Sequence, residues 1–98
     1  MTPEKFEEIL ENNGFEPVEW FYKDVRILSL RHYGGGLSEG LKIVFIESEE
    51  PSKTPIMEFE TFDSEIVELK PEVTEAIAYC ISNFDAVWNY FYEKGKQQ

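Results

Sequence analysis

The sequence predicts an α+β fold: a three- or four-stranded antiparallel meander with a short N-terminal helix and a long C-terminal helix packed on it. Three observations carry this. Apolar residues over 71–94 recur at steps of three and four, the period of a helix with one buried face. Residues 16–62 fall into short extended runs rich in β-branched and aromatic side chains. The links between those runs are too short for parallel crossovers, so successive strands pair antiparallel. A chain of 98 residues makes one domain, 1–98, and at 42% hydrophobic it is apolar enough to fold unaided.

Thr2 is placed to cap a first helix, with Pro3 at its first position and Glu4, Glu7 and Glu8 near its positive end. Phe6, Ile9 and Leu10 make a narrow apolar stripe, suited to covering a corner of a core. Asn12-Asn13-Gly14 ends the helix, and Phe15 folds back on Leu10. From 16 to 33 the chain is extended. Val18, Trp20 and Tyr22 alternate with Glu19 and Phe21, and Pro17 marks an edge or an entry. Lys23-Asp24 reads as a turn. The run 25–33 slips in apolar phase between Ile27 and Leu28, which implies a bulge or burial on both faces.

Gly34-Gly35-Gly36 opens a loop that closes at Gly40. The strand 41–47 is apolar on both sides and therefore central. A polar turn over 49–55 leads to the run 56–62, where Met57, Phe59 and Thr61 share one side and Glu58 and Glu60 the other. Residues 63–70 suit either a fourth strand or an approach to the last helix. That helix, 71–94, would run about 35 Å. Val73, Ile77, Cys80, Ile81, Phe84, Val87, Trp88, Phe91 and Tyr92 form its inner side. Pro71 suits its start, although Lys70 caps poorly and Thr74 is an alternative beginning.

The formal charge of −11 argues against direct binding of nucleic acid or an anionic membrane, whose phosphates would repel it. A lone cysteine excludes an internal disulfide and suits a reducing compartment. The N-terminus lacks the basic start and apolar core of a signal peptide, and no apolar run approaches membrane-spanning length. A cytoplasmic setting is expected.

No constellation announces chemistry. The glycine cluster 34–40 lacks the following helix and the lysine of a phosphate loop, so it reads as a hairpin connection. His32 is the single histidine, too few for a histidine metal site and without a visible nucleophile to serve. Cys80 falls in the apolar arc, where a thiol is inert. No catalytic residue, metal or cofactor is assigned, and an enzyme is not expected.

The acids are distributed unevenly. Over 47–75 they are Glu47, Glu49, Glu50, Glu58, Glu60, Asp63, Glu65, Glu68, Glu72 and Glu75, opposed by Lys53 and Lys70 alone. Lys23, Arg26, Arg31 and Lys42 belong to the preceding hairpin. The acids from Glu47 to Glu68 form a candidate partner-binding sector, with Glu58 and Glu60 about 6.8 Å apart on one strand face. The alternative is a solvated outer strand guarded against edge pairing. A second candidate surface is the outward side of the last helix, where Tyr79 and Tyr90 stand among Ser82, Asn83, Ala86 and Asn89. Its alternative is that both tyrosines pack under the first helix or a loop.

These features point to a small acidic protein-binding inhibitor that neutralises a basic partner, a nuclease or other nucleic-acid-handling effector. A phage-type anti-defence inhibitor, with or without DNA mimicry, and a nuclease-toxin immunity protein both fit that description. The alternative is a structural or chaperone-like subunit, self-associating through the outward helix face. Either a monomer or a homodimer is compatible with the sequence.

Overall fold

A computed structural model of the chain describes residues 1–33, 39–50, 54–61 and 69–96. The element order is α1 (Pro3–Asn12), β1 (Phe15–Tyr22), β2 (Val25–Tyr33), β3 (Glu39–Ile46), β4 (Ile56–Thr61), α2 (Pro71–Ser82) and α3 (Phe84–Lys96). The four strands form one antiparallel sheet in the order β1-β2-β3-β4, with the helices on one face.

Local chemistry accounts for the boundaries. The Thr2 hydroxyl accepts the Lys5 amide at 3.1 Å, and Asn13 with Gly14 closes α1 through bonds to Leu10 and Glu11 carbonyls. Gly14 adopts φ 77°, the left-handed geometry that a helix stop of this type requires. Lys23 and Asp24, at φ 49° and 68°, make the two-residue turn between β1 and β2. Two successive left-handed residues match the twist of the paired strands. In β2, Ile27, Leu28, Ser29 and Leu30 are all buried while the pairing runs on unbroken. The phase slip therefore reflects burial on both faces, and the bulge lies further on, between His32 and Tyr33.

The continuous helix expected over 71–94 is divided at Asn83. Its side-chain Nδ2 donates to the Tyr79 carbonyl at 3.1 Å, and its own amide donates to the same oxygen at 2.9 Å. A short amide side chain that competes for backbone carbonyls favours a helix end over a helix interior. Asn83 then offers its carbonyl to Val87, which starts α3. Across the break the apolar side continues: Phe84, Val87, Trp88 and Phe91 are buried in the core, while Ile81 and Tyr92 stay half-buried. At the other end, Lys70 makes no side-chain cap, yet α2 begins at Pro71.

The core lies between the helices and one face of the sheet. Phe6 and Leu10 of α1 share one buried cluster with Leu28, Leu30, Ile43 and Phe45 of the central strands and with the inner faces of α2 and α3. Residues 34–38, and 62–68 with the possible further strand there, lie outside the described residues.

Cys80 is fully buried on α2, and loss of hydration pushes its thiol up to about 12. Native protein is expected to react with a thiol reagent at least a hundredfold more slowly than unfolded protein. Comparable labelling rates in the two states would place Cys80 outside the core.

Candidate functional site

Strand pairing determines what the sheet shows on the face away from the helices. Trp20, Ile27, Ile46 and Ile56 make one row across the four strands. Val18, Ser29, Val44 and Glu58 make the next, and Glu16, Arg31, Lys42 and Glu60 the third. Period-two alternation puts these three rows on one face, with Tyr22 beyond Trp20 on β1. The face grades from an apolar end to a charged end.

Trp20 and Tyr22 on the edge strand β1 are 39% and 58% exposed, and Ile56 on the opposite edge strand β4 is 57% exposed, while Ile27 between them is buried and Ile46 half-buried. The indole of Trp20 is held in place, because its Nε1 donates to Ser29 Oγ at 2.9 Å. Ser29 is itself buried, so the bond satisfies a hydroxyl that would otherwise be desolvated at a cost. Val18, Trp20, Ser29, Arg31 and Lys42 line a shallow depression of about 250 Å³ beside the ring.

The acids of the candidate sector separate into different settings. Glu47 is half-buried and engaged: its carboxylate accepts Arg26 Nη2 at 2.7 Å, Arg26 Nε at 3.1 Å and the Arg26 amide at 3.1 Å. The hydrogen bonds from Arg26, more than any other influence, lower the Glu47 pKa. Arg26 also donates to Asp85 at 2.6 Å and lies over the rings of Phe84 and Trp88. It ties the ends of β2 and β3 to the start of α3. Glu49 and Glu50 are exposed in the bend after β3, and the Glu50 amide donates to Ser48 Oγ. Glu58 and Glu60 are exposed on the open face of β4, as the alternation predicts. Asp63, Glu65 and Glu68 lie outside the described residues.

Charge that is segregated along the chain is interleaved in space on this face. The β3–β4 register sets Lys42 opposite Glu60, and the β1–β2 register sets Glu16 opposite Arg31. The third row thus reads acid, base, base, acid. The exposed acids of β4 on this face are Glu58, opposite Val44, and Glu60, opposite Lys42, whereas Glu49 lies beside Lys23 and Asp24 of the β1–β2 turn and Glu50 on the side of α2 and α3.

The tyrosines adopt the packed alternative. Tyr79 is half-buried with its ring 6.2 Å from that of Phe6 on α1. Tyr90 is half-buried too, and its hydroxyl donates to Glu7 Oε1 at 2.9 Å, beside Lys94, whose Nζ donates to Glu7 Oε2 at 2.6 Å. Burial and then the Glu7 bond raise the Tyr90 pKa. Ser82, Asn83, Ala86 and Asn89 remain exposed, but the aromatic part of that surface is turned onto α1.

The sequence by itself assigns no role to Trp20 or Ile56. The alternation of Val18, Trp20 and Tyr22 was visible, but nothing local says which side of β1 the helices cover. His32, half-buried, packs against Phe15 with ring centroids 4.8 Å apart. Among the described residues no three His, Cys, Asp or Glu side chains group in a way that would hold a metal ion. Comparison with protein-family models, curated proteins and solved structures finds no match to this chain.

Proposed function

We propose that this chain is an acidic protein-binding domain that inhibits a basic, nucleic-acid-handling partner, in the manner of an anti-defence inhibitor or a toxin immunity protein. The observation that carries the reading is the exposed pair Glu58 and Glu60, fixed by β-structure on one outward face. A preformed row of carboxylates meets lysines and arginines without ordering a loop first, which lowers the cost of association. The net charge of −11 adds long-range attraction to a basic surface. A cytoplasmic setting belongs to this proposal, and no helix among the described residues is long and apolar enough to cross a membrane. Self-association through the outward side of α2 and α3 has less support, since Tyr79 and Tyr90 are committed to α1.

The test is capture of the partner from lysate at low and high salt, its identification, and titration with purified protein. Glu58→Lys with Glu60→Lys is expected to weaken binding by about 2–5 kcal/mol while leaving the unfolding transition in place. The unmodified protein's affinity should fall steeply with salt, because exposed charges are screened beyond about 8–10 Å at physiological ionic strength. Salt-independent binding that survives the double reversal would defeat the charge mechanism.

A further inference from the structure

We infer that the open face of the sheet docks an amphipathic segment of a partner protein, its apolar side chains on Trp20 and Ile56 and its lysines or arginines on Glu58 and Glu60. This rests on the proposed binding of a basic partner and names the surface and the element that would fill it. The apolar and acidic parts adjoin on β4, where Glu58 follows Ile56 by two residues on the same face, and Trp20 stands at the far end of the cross-strand row of Ile56, beyond half-buried Ile46 and buried Ile27. Trp20 is set in position by Ser29, so its ring loses little freedom on binding, and a large rigid aromatic is the side-chain type that dominates interface energetics.

The charges also say what does not fit. A second copy docked about a two-fold along the strands would stack Glu16 on Glu60 and Arg31 on Lys42, like on like. A two-fold across the strands, centred between the first two rows, would lay Glu58 on Ile56, a carboxylate on a methyl surface. Each copy also brings a charge of −11. A basic amphipathic segment avoids both conflicts by laying its apolar side on Ile56 and its cations on Glu58, which pairs across the strands with Val44 and not with a base.

The test titrates isotope-labelled full-length protein with a synthetic amphipathic leucine–lysine peptide, and separately with a leucine–glutamate peptide of equal length. The lysine peptide is expected to shift the Trp20 indole signal and backbone signals of β1 and β4. Ile56→Asp and Trp20→Ala, both at positions more than a third exposed, should each weaken it about tenfold or more. The glutamate peptide should not bind. Sedimentation should show a monomer. Shifts confined to the helix side, equal binding of both peptides, or no binding of the lysine peptide would overturn the proposal. So would a dimer that Ile56→Asp dissociates. If Glu58→Lys with Glu60→Lys abolishes binding while Ile56→Asp and Trp20→Ala do not, the docking face is wrong and the acidic-partner reading stands. If the lysine peptide docks as described but lysate yields no basic partner, that reading fails separately.

Discussion

Trp88→Ala is expected to remove about 3–5 kcal/mol of folding stability, the range for a large aromatic lost from a core. Trp88 is 2% exposed, and three kinds of contact converge on it. Its ring stacks on Tyr92 at 5.0 Å and meets Phe21 edge-on at 4.8 Å. Its Nε1 donates to the Ile27 carbonyl at 3.0 Å, in the middle of the sheet. Truncation therefore leaves a cavity and removes a buried hydrogen bond, which adds about 1 kcal/mol. A domain of this size has roughly 5–15 kcal/mol in total, so the variant would be marginal. Trp88→Phe retains most of the ring and loses the donor, and should fall between the two. Urea unfolding of the three proteins measures the series. A loss below about 1 kcal/mol for the alanine variant would mean that α3 does not seat its indole in the sheet.

Arg26→Met should cost about 2–3 kcal/mol, the scale of charge-assisted hydrogen bonds whose partner is left half-desolvated. The side chains of Arg26 and Glu47 are 21% and 31% exposed, so the pair is only partly screened by water. Asp85 is 76% exposed, and its bond to Arg26 contributes far less. Double-mutant cycles separate the two: coupling above about 1 kcal/mol between Arg26 and Glu47, and below about 0.5 kcal/mol between Arg26 and Asp85. Acid titration provides an independent check. Arg26 holds the Glu47 carboxyl below its ordinary range, so the folded state binds that proton less readily than the unfolded chain. The stabilisation is complete above the unfolded-state value, about pH 4.3, and is lost as pH falls through the lower folded value. The stability gap between the unmodified protein and Glu47→Gln should close over that interval. A gap that widens on acidification would contradict the assignment.

Much of the fold is legible in the sequence because its signals are local. Thr2-Pro3, Asn13-Gly14 and Pro71 mark helix ends through capping chemistry that acts within a turn. The alternation of Met57 and Phe59 with Glu58 and Glu60 is a property of a single strand. The burial of Cys80 follows from helix periodicity. The division of the last helix was less visible, since it depends on one asparagine preferring the Tyr79 carbonyl to solvent, and periodicity runs across the break nearly undisturbed.

What sits beside what is decided between elements, and no residue carries it alone. Glu47 reads as one of a run of surface acids until the β2–β3 pairing brings it to Arg26. Tyr79 and Tyr90 read as an outward patch until α1 crosses α2 and α3 and takes Glu7 to the Tyr90 hydroxyl. The charge segregation visible along the chain dissolves where antiparallel pairing lays Lys42 against Glu60. Trp20 and Ile56, 36 positions apart, become the two exposed ends of one cross-strand row because successive strands each carry the row one step further across the sheet. Sequence period determines which residues share a side of an element. Only packing selects which side faces the core, because that choice is settled by the total apolar area buried and not by any one strand or helix.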